Sequence, residues 1–497
     1  MVSLHRSVHC VALQITGAYV EKTFFQTLKC RSEFKVLFVV MTMLSALLAS
    51  TTACAIPIFA RQTQQNCVAC HVGGQYPELT PYGRYFKLTG FNQGARQTTE
   101  VGLAIPTAMS LQFGVNRMQN NSADGNPAAT KGSPIDARNG QLAPDQASVY
   151  VGGRITDNFG LFAQYTFAWD QGNRRNATFG ADNFDLRYAD HLVAENRDLI
   201  FGLSVNNNPG VTDVFNSSPA WSYPYQYSAS ASATQPPVQT ALESFYGGGT
   251  ARGINGYVYF NKSFYAELGN YMATSGVANF LTYTSDSSVP RHNGSVALMG
   301  ANPYYRLAYT TDWGPSNLML GVFGMRSRIG DGSGNGEATT YNDRGVDAQY
   351  QYISDPAVVS AQLRYTAEKI SDPASLAYTN SSANLHSFYG KAMFVYRAKY
   401  GAALAYWSEQ GSSDPAYANA AAGANVFSCQ DAPTCSTGSP NTKAWIPAVF
   451  WQPLLNVRLT LYKTYFTQFM GASKNYDGYG RNARDNNSTY LYMWMDF

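Results

Sequence analysis

Charged residues are scarce in this chain. Asp, Glu, Lys and Arg make up 13% of its 497 residues, about half of the roughly 25% that soluble globular proteins carry. Disordered chains are rich in charge and poor in aromatic side chains, whereas 14% of this chain is aromatic, with 35 tyrosines. The composition therefore excludes a disordered chain.

Long apolar runs are also missing. Only residues 36–49 form a continuous apolar stretch, which is shorter than the about 20 residues of a helical span. A helical membrane protein is therefore disfavoured. Few charges without long apolar runs favour an aromatic-rich β protein, and the length fits either a few soluble domains or one large barrel.

Residues 1–55 have the pattern of an export signal. Lys29, Arg31 and Lys35 precede the apolar run, and a small-x-small cleavage signature ends at Ala55. We expect a signal peptide whose first 28 residues reflect a start codon assigned too early. A membrane anchor and a lipoprotein modified at Cys54 are the alternatives. Cleavage removes five of the 35 basic and two of the 32 acidic residues, so the mature chain is neutral and shows no nucleic-acid footprint.

Four cysteines follow the leader, in two close pairs. Cys429 and Cys435 lie in a stretch rich in Ser, Pro, Thr and Gly, and we expect them to form a disulfide in an oxidising compartment. A metal site with two thiolates is the alternative. The other pair belongs to a motif with its own chemistry.

Cys67-Val68-Ala69-Cys70-His71 is a C-x-x-C-H motif, the attachment signature of c-type haem. Two thiols one helical turn apart can form thioethers to one haem, and the adjacent imidazole can ligate the iron. A redox dithiol would need a βαβ context and a zinc site two more ligands, and neither is visible nearby. The motif predicts one covalent haem c on Cys67 and Cys70, with His71 as the proximal ligand.

A short helix is predicted just after the motif. Thr80 is placed as its N-cap, Pro81 as its first residue and Gly90 to end it. Arg84 and Lys87 lie on this helix, either as partners of the haem propionates or as solvated charges. The whole segment, residues 56–100, is too small to bury a core of its own, so we expect the haem and the following domain to stabilise it.

Residues 101–497 alternate between apolar and polar side chains with period two, as half-buried strands do. About sixteen strands are predicted near 104–117, 147–156, 159–169, 183–193, 197–206, 251–261, 263–273, 303–312, 316–327, 343–353, 357–369, 384–397, 399–409, 441–451, 454–466 and 488–497. Tight connections, including Asp157-Asn158 and Gln452-Pro453, alternate with long ones, including 207–250 and 410–440. Even strand number, short periplasmic turns and long outer loops are typical of bacterial transmembrane barrels.

The alternation also predicts which side chains face the lumen. These polar residues are Asp185, Arg187, Arg306, Asp347, Gln349, Gln362, Arg364, Glu368 and Arg458. Their mixed signs favour a lattice of salt bridges around a plug over a selectivity filter. The tyrosines are expected largely on the lipid-facing wall and its rims, where such barrels carry aromatic girdles.

An export signal, a single haem motif and a barrel of about sixteen strands together resemble the fused monohaem cytochrome–porins, the outer-membrane iron oxidases of iron-oxidising bacteria. The local match covers Phe59–Thr63, Cys67–His71 and Pro77–Leu88. Over the barrel, the resemblance is one of architecture and size.

The resemblance implies an Fe(II) oxidoreductase in the outer membrane that oxidises extracellular Fe²⁺ and passes the electron through its haem to a periplasmic cytochrome c or copper protein. One haem cannot bridge the ~25 Å apolar band from the periplasm alone, so we expect the haem segment to plug the pore. A solute porin with a haem plug as gate or sensor, and a conduit that carries electrons outward, are the alternatives.

The sixth iron ligand is open at this stage, because residues 56–100 contain neither Met nor a second His. The candidates elsewhere are Met109, Met118, His191, His292 and His386. A lone His on a strand is more often a girdle or hydrogen-bonded residue than a ligand.

Overall fold

A computed structural model describes most of the chain after the leader. The described residues are 58–74, 77–94, 107–122, 139–169, 177–217, 236–244, 251–274, 280–281, 298–330, 336–372, 379–414 and 437–497. The expected signal peptide at 1–55, the expected disulfide between Cys429 and Cys435, and His292 lie outside these ranges. The predicted haem segment is described over 58–74 and 77–94, and it is called the N-terminal segment below.

Sixteen antiparallel strands form a closed barrel, in which each strand pairs with its neighbours in sequence and β1 pairs with β16. The strands are β1 Thr107–Met118, β2 Leu142–Arg154, β3 Phe159–Trp169, β4 Ala177–Ala194, β5 Arg197–Asn206, β6 Ala251–Phe260, β7 Phe264–Ala273, β8 Asn302–Trp313, β9 Ser316–Gly330, β10 Ala338–Ile353, β11 Ala357–Ser371, β12 Ser382–Tyr396, β13 Tyr400–Gly411, β14 Thr442–Leu454, β15 Val457–Gln468 and β16 Ser488–Asp496. The all-β class and the predicted strand number are confirmed.

Short turns and long connections alternate around the barrel, as predicted. The end of the barrel with the short turns is called the tight-turn end below, and the opposite end the long-loop end. One predicted turn is wrong: β14 continues to Leu454 and β15 begins at Val457, so the chain turns at residues 455–456 and not at Gln452-Pro453. Several strands also extend further toward the long-loop end than the sequence predicts, since paired backbone continues past the last clear alternation.

The two faces of the wall differ as the alternation predicts. On β11, Leu363 and Tyr365 are exposed on the outside of the barrel. Arg364, which lies between them, and Glu368, further along the strand, are buried in the interior. All nine predicted lumen residues are buried. The tyrosines divide between the faces, because an inward set that includes Tyr257, Tyr304 and Tyr490 is also buried. The prediction that the tyrosines lie largely on the outer wall and its rims is therefore wrong for this inward set.

Three short helices make up the N-terminal segment: α1 Ile58–Thr63, α2 Cys67–Cys70 and α3 Pro81–Leu88. Thr80 caps α3 by accepting a hydrogen bond from the backbone N–H of Gly83 at 3.1 Å, and Gly90 follows with a φ of +71°, the left-handed conformation that ends helices. The predicted helix is confirmed. No helix in the described ranges has the length and apolarity to cross a membrane.

The connection between β5 and β6 also enters the barrel. Its described parts, residues 207–217 and 236–244, carry the helices α4 Pro209–Thr212 and α5 Ala241–Ser244, and they are called the inner connection below. Asp213 forms an ion pair with Arg306 of β8, and Glu243 forms one with Arg364 of β11. The expectation of an ordinary outer loop at 207–250 is wrong for these residues, because their side chains bind inward-facing groups of the wall.

Salt bridges connect the wall with both inserted segments. Arg187 pairs with Asp185, Arg306 with Asp213 and Asp347, Arg364 with Glu243, and Lys391 with Glu78. Arg187, Arg306 and Arg458 are each 0% exposed although they point inward. An open channel would wet such side chains, so the described part of the lumen is filled around them. The predicted salt-bridge lattice is confirmed.

Candidate haem site

The C-x-x-C-H motif folds as a single helical turn. Cys67 and Cys70 are the first and last residues of α2, and the backbone N–H of His71 closes the turn on Cys67 O at 2.8 Å. Both thiols are free and partly exposed. Burial raises the pKa of the Cys70 thiol to about 11, with Cys67 adding to the shift. Redox dithiols use a lowered thiol pKa, so this environment disfavours that reading.

The helix α3 fixes the position of the motif turn. The hydroxyl of Thr80 donates to Ala69 O, and the Thr80 backbone N–H donates to Cys70 O at 2.9 Å. Gly83 lies so close to the turn that an added Cβ would fall 2.2 Å from Cys70 O. The residues that cap and begin α3 thus hold both cysteines in one orientation.

The motif lies at the tight-turn end of the barrel. Gly74 packs against the side chain of Gln452, three residues before the turn at 455–456. The pKa of Cys67 is raised by burial and then by the negative charge of Asp496, the last residue of β16. Both neighbours belong to the rim at this end.

The stretch between α2 and α3 is bound to the wall and to the inner connection. Glu78 is completely buried and forms an ion pair with Lys391 of β12. The side chain of Gln351 on β10 donates to Leu79 O at 2.9 Å, and Asn216 of the inner connection donates to Pro77 O. Three partners from distant parts of the chain thus hold the residues that follow the motif.

Arg84 and Lys87 are buried and bind protein groups. Arg84 donates to Gln349 at 3.1 Å and to Asn317, and Lys87 donates to Asp213 O at 2.7 Å and to Asn216 at 3.0 Å. Burial, and after it the charge of Arg187, lower the pKa of Lys87 to about 7. The reading as solvated charges is wrong. A role with haem propionates stays a prediction, and the contacts seen here attach α3 to the barrel.

The donor set of the motif fits a covalent haem. Two unlinked thiols and an imidazole follow one another on one turn, partly exposed on one side. Within the same ranges, no group of three or more His, Cys, Asp or Glu side chains is arranged to hold a metal ion. Cys67, Cys70 and His71 would hold the haem, which would supply a one-electron redox centre.

The four described candidates for the sixth ligand have surroundings of their own. Met109 and His386 point outward from the barrel, and Met118 lies at the long-loop end, where Arg481 donates to its sulfur. His191 is held by Asp198, whose Oδ1 lies 2.7 Å from Nε2. These environments give no support to any of the four as an iron ligand.

A column of buried aromatic rings extends along the lumen, which the sequence analysis missed. We define the aromatic column as Tyr492, Tyr490, Tyr462, Trp407, Phe466, Phe469 and Tyr476, all members of one packed cluster. Ring centroids are 5.3 Å apart for Tyr492–Tyr490 and for Tyr490–Tyr462, 5.7 Å for Trp407–Phe466, 5.0 Å for Phe466–Phe469 and 4.9 Å for Phe469–Tyr476.

The cluster that contains the aromatic column extends toward both ends of the barrel. Val72, the residue after His71, belongs to it, and Trp494 packs against it near the tight-turn end. Tyr476 lies in the connection between β15 and β16 at the long-loop end. The cluster therefore continues from the haem motif through the barrel. In the sequence, the only sign of this column is the set of inward-facing tyrosine positions on β15 and β16. The same tyrosines also fit an aromatic girdle at the membrane interface, so they did not predict the column.

No protein-family model matches the chain, and no curated protein matches it. Among solved structures, Salmonella typhi OmpF in complex with daunomycin is 12% identical over 79% of this chain and 97% of its own, with a TM-score of 0.43. An anion-selective porin from Comamonas acidovorans is 12% identical over 79% and 98%, with a TM-score of 0.41. The outer membrane channel DcaP of Acinetobacter baumannii is 10% identical over 82% and 100%, with a TM-score of 0.40. Similarities this low assign no activity to the chain.

Proposed function

We propose that the chain is an outer-membrane cytochrome that oxidises extracellular Fe²⁺ and passes the electron inward through one haem c. Cys67 and Cys70 would hold the haem covalently, and His71 would ligate its iron. The tight-turn end faces the periplasm, where a soluble cytochrome c or copper protein takes the electron. The lipid-facing wall is the exposed apolar face of the strands.

The observation that carries the proposal is the binding of a C-x-x-C-H segment inside a closed barrel. The ion pair of Glu78 with Lys391 and the hydrogen bonds of Arg84 and Lys87 attach the segment to inward-facing groups. A barrel whose lumen is filled by a redox segment is unsuited to bulk diffusion. It is suited to moving electrons across the ~25 Å apolar band.

The aromatic column supports the same function, because its rings belong to one packed cluster that includes Val72 beside the motif. Short ring-to-ring steps join the three tyrosines Tyr492, Tyr490 and Tyr462. A second series of short steps joins Trp407, Phe466, Phe469 and Tyr476. Tyr490 donates its phenol proton to Asp145, so a proton acceptor is in place if this ring is transiently oxidised. Gly114 makes room for the pair, since a Cβ there would lie 2.2 Å from the Tyr490 ring and 2.6 Å from Asp145 Oδ2. A bound haem would supply the one-electron acceptor for Fe²⁺.

The test is a stopped-flow mix of the oxidised protein with Fe²⁺, in which the haem spectrum is followed. We expect rapid haem reduction. Absence of reduction in protein that dithionite does reduce would contradict the proposed substrate.

Two variants examine the route. Tyr490→Leu removes a ring from the column, and Tyr304→Leu is its matched control, a buried inward tyrosine in a different cluster. We expect Tyr490→Leu to slow reduction by Fe²⁺ with an unchanged haem spectrum, and Tyr304→Leu to reduce at the original rate. Equal rates in all three proteins would exclude the column as the route while leaving the substrate intact.

A further inference from the structure

Four buried carboxyl groups meet one arginine where the inner connection contacts the wall. Glu243 comes from α5, Asp343 from β10, Glu368 from β11 and Glu409 from β13, and Arg364 of β11 is the single cation among them. Each of the five is less than 9% exposed. With every acid ionised, this buried group would carry three uncompensated negative charges. Such an arrangement is costly in a site that excludes water.

Hydrogen-bond counting places one proton on Glu409. Ser387 Oγ lies 2.8 Å from Glu243 Oε1 and 2.8 Å from Glu409 Oε1. A hydroxyl has one proton to donate, so it donates to one carboxylate and must accept from the other. Arg364 donates to Glu243 Oε1 at 2.7 Å, so this oxygen already serves as an acceptor. The carboxyl that donates to Ser387 is therefore Glu409.

A second proton is assigned to the pair of Asp343 and Glu368. These residues lie directly opposite each other on β10 and β11, and both side chains are buried. Like charges directly opposite on paired strands repel, and two adjacent charges are costly in a site that excludes water. One of the two must be a carboxylic acid.

This pair also holds the inner connection. The backbone N–H of Ala241 donates to Glu368 Oε2 at 2.6 Å, and that of Leu242 donates to Asp343 Oδ2 at 2.9 Å. Glu243, the next residue, is bound by Arg364 and Ser387. Three consecutive residues of α5 are thus attached to the wall by hydrogen bonds to this group of carboxyls and its partners.

We propose that the lumen binds two protons, one on Glu409 and one shared by Asp343 and Glu368, and that they clamp residues 241–243 to the barrel wall. Loss of these protons leaves like charges facing one another on β10, β11 and β13 and releases α5 from the wall. The clamp tightens in acid and loosens in base. It stands independently of the proposed redox function.

The proton count sets the expected pH dependence. Exposed carboxyl groups lose their protons near pH 4, whereas the folded state keeps both protons above this pH. The folded state then binds more protons than the unfolded state, so the free energy of unfolding falls as pH rises. Each retained proton makes the unfolding equilibrium constant rise about tenfold per pH unit. The clamp alone therefore contributes about 100-fold per pH unit.

The experiment is urea unfolding of the full chain in detergent at a series of pH values above about 4. It compares the unmodified chain with isosteric variants. In Glu409→Gln, the amide can still donate to Ser387 but does not titrate. In Asp343→Asn, the amide can likewise donate to Glu368 without titrating. Each is expected to lower the pH slope by about tenfold per unit relative to the unmodified chain. Glu195→Gln, in an exposed turn, is the control and should leave the slope unchanged.

Infrared spectroscopy supplies a second readout that does not depend on unfolding. At neutral pH we expect a carbonyl band from protonated carboxyl groups, which weakens in Glu409→Gln and persists in Glu195→Gln. An unchanged pH slope in both isosteric variants, or a band that Glu409→Gln leaves intact, would overturn the proposal.

Discussion

The N-terminal segment and the inner connection occupy the same lumen, but they are attached by opposite chemistry. The N-terminal segment extends basic side chains, Arg84 and Lys87, toward neutral acceptors of the protein. The inner connection presents backbone amides of α5 to wall carboxyls, and these carboxyls must hold protons. At α3, cationic side chains bind neutral acceptors, whereas at α5 a neutral backbone binds acidic side chains. Ion pairs, Glu78–Lys391 and Asp213–Arg306, also hold the two inserts.

The two attachments respond to pH in opposite directions. A buried amine is held more firmly when it can lose its proton, whereas a buried pair of carboxyls is held more firmly when it keeps one. Arg187 contacts both inserts, because it donates to Lys87 O at 3.2 Å and to Thr212 O at 3.0 Å. Changes on one side therefore reach the other through a single guanidinium.

The largest expected effect comes from removing one partner of the buried ion pair that holds the N-terminal segment. Lys391→Met leaves Glu78 buried without its cation, which costs about 3–5 kcal/mol of unfolding free energy. Urea unfolding followed by tryptophan fluorescence measures this loss. The double variant Glu78→Gln/Lys391→Met removes both charges, and we expect it to recover most of the stability. Equal losses in the single and double variants would show that the pair does not hold the segment.

The next effect is local to the haem motif. Gly83→Ala forces a methyl group against Cys70 O, and overpacking of this kind costs about 1–3 kcal/mol. Since the collision displaces the turn that carries both thiols, we expect less covalent haem per protein, measured by the absorbance ratio of haem to protein. Gly256→Ala is the matched control, because its Cβ would meet Leu203 at an ordinary 3.5 Å. Equal haem content in both variants would rule out the proposed packing.

The sequence predicted the barrel and the motif because both have local signatures. Period-two alternation marks each strand whatever its partners, and it placed residues such as Arg306 and Glu368 correctly in the lumen. The path of the inner connection is not local: Glu243 is fixed by Arg364 and Ser387, more than 120 positions away. Arg84 and Lys87 were ambiguous for the same reason, since their partners lie on strands and connections far along the chain.

The buried amine gives a third prediction, with a sign opposite to that of the carboxyl clamp. The pKa of Lys87 is about 7 in the folded chain and about 10.4 when exposed, so the folded state binds fewer protons between these values and stability rises with pH there. The expected contribution is about 1.4 kcal/mol per pH unit. Lys87→Gln should remove it in urea titrations over this window. An unaltered slope would contradict the burial of an ionisable amine.

The smallest effect concerns a single hydrogen bond. Tyr257 of β6 donates to Leu88 O at 2.6 Å, at the end of α3. Tyr257→Phe should lower the unfolding free energy by about 0.5–1.5 kcal/mol, whereas Tyr400→Phe, on the exposed outer face, should change it little. A matching loss in the two variants would mean that the hydroxyl contributes nothing specific to the attachment of the N-terminal segment.

The most direct test of the central claim uses liposomes that contain the haem-loaded protein and trapped oxidised cytochrome c, with Fe²⁺ added outside. We expect the trapped cytochrome to become reduced while a small hydrophilic marker stays outside. Liposomes made with a Cys67→Ala/Cys70→Ala variant, which cannot hold the haem, should show no reduction. Marker entry without electron transfer, or equal reduction with the variant lacking haem, would contradict a filled barrel that conducts electrons.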